Sequence, residues 1–313
     1  MVTPQRLTRG RVISTCNRQR VETMTTNRVT HAIAALFLAL VFFSAATCAD
    51  DCGRLCDRNF WKNATAEEVQ AELDRGANPN FRHGNGTTPL HGAAAWGTAE
   101  TIKILLTAGV NLEVRTEDGF TPLHSAAGMG TVETAAILIK AGANLEARTK
   151  GGLTPLHVAT VRNEPEMIAA LAKAGANLEA RYKNGLTPLH LAADIGTSDT
   201  IKTLLRAGAY LESRAAGGTT PLHVAASLGN PANIQTLLVA GANLEAKADN
   251  NFTALHFAAF KGTTKNVELL LDAGANASAE AKNGYIPFDF AKTNLSLIGT
   301  KTYRRLYEAT RFN

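Results

Sequence analysis

The sequence lacks the short motifs that carry common catalytic chemistry. It contains no Gly-x-Ser-x-Gly nucleophile elbow, no glycine-rich phosphate loop, and no Cys and His cluster at zinc-ligand spacing. Each of these motifs places a nucleophile, a phosphate or a metal ion through a fixed spacing of residues. Without them we predict a binding protein rather than an enzyme, with no catalytic residues, no cofactor and no metal.

Cysteine is scarce, with four residues at positions 16, 48, 52 and 56. Only Cys52 and Cys56 lie outside the N-terminal leader described below. A disulfide between them would close a very short loop, and the chain-entropy model assigns it about 2 kcal/mol at most. Two interpretations stay open, a small local disulfide and a pair of idle thiols.

Excess charge of either sign is also missing once the leader is set apart. The formal net charge is +5, but residues 1–49 contain six Arg and one acidic residue, and the remainder carries 26 basic and 26 acidic residues. A nearly neutral folded part gives little support to binding of nucleic acid or of a membrane surface. We therefore expect no nucleic-acid partner.

No apolar run reaches the roughly 20 residues that a membrane-spanning helix requires. The run Ala32–Ala46 is 15 residues long, follows Arg28 and precedes small residues, which is the pattern of a secretory signal. Cleavage is expected before Asp50, with Ser44-Ala45-Ala46 as a second choice. Met24 is an alternative start that gives a leader of more usual length.

From this leader we expect a mature protein that is periplasmic or secreted, of bacterial type, and not stably inserted in a membrane. An uncleaved membrane anchor is the alternative. A lipid anchor at Cys48 fits less well, because Ala45 stands where a Leu-like residue is needed.

One motif, Thr-Pro-Leu-His, recurs through the rest of the chain. It begins at Thr88, Thr121, Thr154, Thr187 and Thr220 and continues as Thr-Ala-Leu-His at Thr253, so that successive copies are 33 residues apart. A degraded copy, Ile-Pro-Phe-Asp, begins one period later. A fixed period of this length indicates a solenoid of stacked units.

This period and this motif resemble the ankyrin-repeat family from about Thr65 to about Lys292. The resemblance implies an all-α repeat solenoid in which each repeat is a helix-turn-helix with a β-hairpin finger. Local chemistry agrees: Thr suits the N-cap and Pro the first helical position. Gly130 is predicted to end a first helix in the left-handed conformation, and Gly142 is predicted to terminate a second helix.

The same spacing divides the chain into four parts. Residues 1–49 form the leader, 50–84 an N-terminal linker and capping repeat, 85–282 six ankyrin repeats, and 283–313 a C-terminal capping repeat. Repeats this short cannot bury their apolar faces alone, so neighbouring repeats must supply the stability. No part outside the array is long enough for an appended enzyme.

Three sets of polar residues recur at fixed positions of the 33-residue repeat, and we call each set a column. Six of the eight His residues occupy the last position of the motif, and the resemblance implies that they are structural. A basic column is formed by Arg82, Arg115, Arg148, Arg181, Arg214 and Lys247. Glu residues recur two positions earlier in most repeats, and we expect the two columns to neutralise each other.

The variable positions carry what functional information remains. Ankyrin repeats are similar in binding partners through the finger tips and the exposed side of the first helix, and many variable residues here are apolar. The predicted protein-binding residues are Trp96, Phe120, Met129, Arg148, Leu153, Arg181, Leu186, Ile195, Phe252 and Phe260.

We predict a non-enzymatic, monomeric scaffold that binds a partner protein on its concave face. The alternatives are a secreted effector acting on a foreign or host protein, and binding of an anionic polymer by the Arg column.

Overall fold

The computed structural model describes residues 52–311, and the predicted signal and its cleavage site lie outside this range. The described part consists of helices and turns and contains no regular β-strand. The first helices of the six repeats are Pro89–Trp96, Pro122–Met129, Pro155–Arg162, Pro188–Ile195, Pro221–Leu228 and Ala254–Lys261. The second helices are Ala99–Thr107, Val132–Lys140, Pro165–Lys173, Ser198–Ala207, Pro231–Val239 and Thr264–Asp272.

Four further helices and one turn lie at the ends of the array. Arg58–Asn63 and Ala66–Asp74 precede it, with a 3-10 turn at Gly53–Cys56, and Pro287–Ala291 and Lys301–Ala309 follow it. Within residues 52–311 no helix combines the length and apolarity needed to cross a bilayer.

The first helices pack side by side because their buried residues are small. In Pro122–Met129 the motif residue Leu123 is 1% exposed and the pair Ala126 and Ala127 is equally buried. The second helices contribute a narrower apolar stripe, as in Val132–Lys140, where Ala135 and Leu138 are fully buried. Each repeat thus buries its apolar residues against its neighbours, as the spacing predicts.

Gly130, which follows a first helix, is required for a reason other than the predicted left-handed conformation. Gly130 has φ −88° and ψ −169°, which is extended backbone, so the prediction of a left-handed end was wrong at this position. A Cβ atom added here would lie 2.2 Å from the carbonyl oxygen of Ala94 in the preceding repeat. Glycine is therefore required by the close approach of two repeats. Gly142 follows the second helix that it was predicted to terminate, and its backbone is left-handed, with φ +96°.

The third repeat uses Asn163 where the others have this glycine. Asn163 is left-handed, with φ +58°, and its Oδ1 accepts hydrogen bonds from the N–H of Thr197 and the hydroxyl of Thr200, each at 3.0 Å. The Asn163 side chain thus links two successive repeats at a position where the other repeats have glycine and therefore no side chain.

The predicted β-hairpin fingers are turns held by a few hydrogen bonds rather than by strand ladders. In one of them the Thr116 N–H donates to the Phe120 carbonyl and the Gly119 N–H to the Thr116 carbonyl, both at 2.9 Å. Four of the six junctions between adjacent fingers have one backbone hydrogen bond, as from the Lys150 N–H to the Asp118 carbonyl at 2.8 Å. At the other two equivalent positions, Lys183 and Ala216, the N–H makes no such bond. The finger at Lys183–Gly185 is therefore not bonded in this way to either neighbour.

The array is closed at both ends by irregular caps. At the N-terminal end, Thr65 and Glu68 form a capping box, and the buried Trp61 donates its Nε1–H to the Leu55 carbonyl at 2.9 Å. At the C-terminal end, Leu306 is fully buried, and the rings of Tyr303 and Tyr307 pack on Phe288 with centroids about 5 Å apart. Large side chains thus cover the open ends of the stack.

Candidate partner-binding face

Five of the six motif histidines join their repeat to the next one through Nε2. The Nδ1 of His124 accepts the Thr121 N–H at 3.2 Å, and its Nε2 lies 3.0 Å from the carbonyl oxygen of Leu153 in the following repeat. The contact between Nε2 and the residue 29 positions later recurs at four other motif histidines. Only the Nε2 of His157 is buried without such a hydrogen bond.

These contacts determine which ring nitrogen carries the proton of each neutral histidine. Because Nδ1 accepts a backbone N–H, the proton of the neutral ring must be on Nε2, where it is donated to the carbonyl. Burial lowers the pKa of His124 to about 4, and the hydrogen bond to Leu153 only partly opposes this shift. The pKa values of His91, His157 and His223 are lowered to about 4 for the same reason. Buried neutral rings, five of which are hydrogen-bonded at both nitrogens, fit the structural role that the resemblance implied.

The Arg column is bound to backbone rather than to the Glu column. Arg148 donates from one guanidinium nitrogen to the carbonyls of Gly152, at 3.1 Å, and of Arg181 in the next repeat, at 2.7 Å. Arg181 repeats this arrangement with Gly185 and Arg214. No ion pair joins the two columns within residues 52–311. The expected mutual neutralisation is replaced by contacts between successive fingers.

The Glu column also contacts the next repeat. The carboxylate of Glu146 accepts the backbone N–H of Asn177 at 2.8 Å, and the residues Glu113, Glu179, Glu212 and Glu245 do the same at the corresponding positions. An exposed N–H that would otherwise bond to water is thus satisfied by a carboxylate of the preceding repeat.

Two of the predicted binding residues belong to the core. Phe120 is 1% and Leu153 is 2% exposed, and the Phe120 ring packs edge-on against His124 at 5.5 Å. Their assignment to a docking surface was wrong, because both side chains are buried and cannot meet a partner. The same position is half-buried at Leu186 and Phe252.

Most of the other predicted residues are only half accessible. Trp96, Met129 and Ile195 are half-buried at the ends of their helices, and the guanidinium of Arg58 covers the Trp96 ring at 4.7 Å. Arg148 and Arg181 are exposed, although their guanidinium groups are oriented by the carbonyls that they bind. The predicted stripe is therefore not a continuous apolar surface.

The accessible apolar residues lie mainly at the C-terminal end of the face on which the finger turns and first helices meet. We define the aromatic cluster as Phe252, Phe257, Phe260, Tyr285 and Phe290. Phe260 is 48% and Tyr285 is 53% exposed, and the Phe290 ring lies beneath both with centroids 6.0 Å away. On the neighbouring first helix, Leu228 is 67% exposed.

Sequence reasoning placed Phe260 in the binding set but omitted Tyr285 and Leu228. Both stand at variable positions that it had recognised as largely apolar, so the available signal was the residue type at those positions.

The predicted cysteine pair forms a disulfide. Cys52 and Cys56 are bonded, with their Cα atoms 5.8 Å apart. Sequence reasoning missed that His83 comes close to this pair: one donor atom from each of the three residues lies within 4.8 Å of the others. The period gives no signal for this proximity, because Cys52 and Cys56 lie before the first regular repeat.

A family model described as "Ankyrin repeats (3 copies)" matches residues 61–149, 142–215 and 196–283. The chain belongs to the ankyrin repeat family. Ankyrin repeats are in general protein–protein interaction modules and non-enzymatic binding scaffolds. The predicted fold class is confirmed by this match and by the structural comparisons that follow.

Two solved ankyrin repeat domains are similar to this ankyrin repeat protein. The crystal structure of the human ASB11 ankyrin repeat domain has a TM-score of 0.61 and 28% identity, and the match covers 71% of this chain and 98% of that domain. The ankyrin repeat domain of Bcl-3, described as a unique member of the IkappaB protein family, has the same score and identity over 72% of this chain and 99% of that domain. A comparison with curated proteins finds no match.

Proposed function

We propose that this ankyrin repeat protein is an exported, non-enzymatic scaffold, and that its aromatic cluster is the centre of the partner-binding surface. The observation that carries the proposal is the exposure of Phe260 and Tyr285 beside Leu228 on the face where finger turns and first helices meet. Exposed aromatic rings over a packed base have the composition of binding hot spots.

The base of the cluster makes it a rigid platform. Phe252 stacks on His256 with centroids 5.3 Å apart, and Phe290 packs edge-on against Phe252 at 5.1 Å. Rings held in this way lose little further freedom on binding, which lowers the entropic cost of association. The partner that fits is a polypeptide segment presenting aliphatic or aromatic side chains.

Export rests on the Ala32–Ala46 run, and the periplasm or the cell exterior is the proposed location. We place the mature N-terminus near Asp50, and intact-mass measurement of the exported protein tests this position. A mass that retains residues before 44 would contradict the assigned cleavage.

Binding of an anionic polymer by the Arg column has less support. Four guanidinium groups of the column already donate to two carbonyls each, namely those of Arg115, Arg148, Arg181 and Arg214. A polymer held by this column would show an affinity that falls steeply with salt, because binding would release counterions.

The proposed surface is tested by affinity capture from the exported fraction, followed by titration of the captured protein. Replacing both Phe260 and Tyr285 by Ser should weaken binding by about 2 kcal/mol or more at a hot spot. Val239→Ser is the matched control, because Val239 is 79% exposed at the end of a second helix. Equal binding by the double variant and the control would rule out the cluster as the binding surface.

A further inference from the structure

Three side chains with metal-binding atoms meet at the N-terminal end of the array. Cys52 precedes the turn Gly53–Cys56, and Cys56 is its last residue. His83 comes from a later part of the chain, the finger turn that precedes the first repeat helix. Their sulfur and ring nitrogen atoms lie within 4.8 Å of one another. Cysteine sulfur and imidazole nitrogen are the preferred protein ligands of soft and borderline cations.

The surrounding structure holds the three residues in place through contacts that do not involve the disulfide. In the cysteine turn, the Arg54 N–H donates to Glu72 Oε2 at 3.2 Å, and the Leu55 carbonyl accepts from the buried Trp61 ring. In the finger, the His83 N–H donates to the Thr87 carbonyl at 2.9 Å. Opening the sulfur–sulfur bond therefore leaves both backbone segments anchored.

We propose that reduction of the Cys52–Cys56 disulfide creates a binding site for a thiophilic d10 cation, Zn²⁺ or Cu⁺, coordinated by both thiolates and the His83 imidazole. In the oxidised protein the two sulfur atoms are bonded to each other and cannot act as thiolate ligands. Zn²⁺ would complete a four-coordinate site with water, as in sites that have three protein ligands. Cu⁺ can be satisfied by the three protein ligands alone.

The reductant that opens the site is a dithiol. Its thiolate attacks the sulfur of Cys56, which is half-buried, whereas Cys52 is fully buried. The disulfide bond breaks, Cys52 leaves as a thiolate, and a mixed disulfide forms at Cys56. The second thiol of the reductant then attacks its own mixed-disulfide sulfur, so that Cys56 is released as a thiolate and the reductant is oxidised. Cation binding displaces any protons on the two sulfur atoms.

The protonation of His83 fits this function. Burial lowers the pKa of His83 below its ordinary value, so the ring is neutral at pH 7. A neutral imidazole is the form that coordinates metal ions.

The test compares the purified full chain in its oxidised form with the same protein reduced anaerobically by dithiothreitol and desalted. Each form receives one equivalent of Zn²⁺ or, in a separate arm, Cu⁺, and is dialysed against a chelator of known affinity. The cation retained per chain is measured by mass spectrometry. The reduced protein should retain about one cation in at least one arm, as a single three-ligand site implies, and the oxidised protein should retain none.

Variants then assign the ligands, with helix content checked by circular dichroism. His83→Gln and Cys56→Ser should each weaken retention at least about tenfold, since even partners outside the coordination shell contribute 10–100-fold. His256→Gln is the matched imidazole control and should bind as the wild type does. Retention of neither cation by the reduced protein, or wild-type affinity in folded His83→Gln, would overturn the assignment. Loss of binding in folded His256→Gln would overturn it as well.

Discussion

The Nε2 of His124 lies 3.0 Å from the carbonyl oxygen of Leu153 in the next repeat. Because the ring is buried and its Nδ1 accepts the Thr121 N–H at 3.2 Å, only the neutral form satisfies both contacts. Protonation would place a second donor on Nδ1, facing the Thr121 N–H. The histidine column therefore makes the junctions between repeats dependent on pH.

Acid should destabilise the array between about pH 6.5 and pH 4. The pKa of each of His91, His124, His157 and His223 is lowered to about 4 by burial, whereas an unfolded chain protonates His near pH 6.5. Between these values the unfolded state binds more protons, so the free energy of unfolding rises with pH and falls as pH is lowered. Each histidine should contribute up to about 1.4 kcal/mol per pH unit.

Urea unfolding followed by circular dichroism at several pH values measures this dependence. A His124→Gln variant should show a shallower slope than the wild type, because one titrating group has been removed. Stability that is constant from pH 7 to pH 4.5 would contradict the assigned protonation states.

Phe120 and Phe260 should separate stability from binding. Replacing the buried Phe120 by Ala should cost about 3–5 kcal/mol through the lost packing and the cavity left behind, comparable to Leu189→Ala in the core. Replacing Phe260 by Ser should change stability by less than about 1 kcal/mol, since its ring is nearly half exposed. The measurements are urea midpoints for both variants and partner affinity for Phe260→Ser. Similar midpoints for the two variants would contradict the distinction between core and surface.

Gly130 and Gly142 should respond to alanine for different reasons. In Gly130→Ala the new Cβ would meet the Ala94 carbonyl oxygen at 2.2 Å, and separating the two repeats should cost about 3 kcal/mol, as severe overpacking does. Gly142→Ala meets nothing within 4 Å and should cost only the strain of a positive φ, about 1–2 kcal/mol. Thermal unfolding of both variants checks the order, and a larger loss at Gly142 would contradict the close approach seen at Gly130.

Glu146 should protect one specific amide in the following repeat. Its carboxylate accepts the Asn177 N–H at 2.8 Å, so Glu146→Ala should speed hydrogen exchange at Asn177 at least about fivefold, equivalent to about 1 kcal/mol of lost protection. The internal control is Asn144, whose N–H is bonded to Glu113 in the same way. Equal acceleration at both amides would indicate general loosening rather than loss of one hydrogen bond.

The periodic residues were the predictable part of the structure. Leu123, His124 and the alanines after them follow from the 33-residue spacing, because every repeat meets the same neighbours. Burial at the position after the turn glycine was not predictable, since Phe120 is enclosed while Tyr285 at the same position is exposed. The burial of a side chain at this position depends on tertiary contacts with other parts of the chain. The sequence pattern does not predict that burial.

His83 illustrates a second limit. Its neighbours Cys52 and Cys56 belong to an irregular cap, and the period assigns them no partners. Similarly, Gly130 was recognised as a helix end, but the close approach of the Ala94 carbonyl in the preceding repeat, which leaves no room for a Cβ, was not. Features within one repeat could thus be predicted, whereas this approach between repeats and the contacts of the irregular cap could not.

The three polar columns share one direction: in each, a side chain of one repeat binds the backbone of the repeat that follows. His124, Arg148 and Glu146 bind carbonyl or amide groups that every residue type possesses, except that proline has no amide hydrogen to donate. A newly duplicated repeat would therefore find these contacts available whatever side chains its successor carried. Whole-repeat duplication or deletion can change the length of the gene without compensating substitutions in these columns, while the remaining positions diverge to suit new partners.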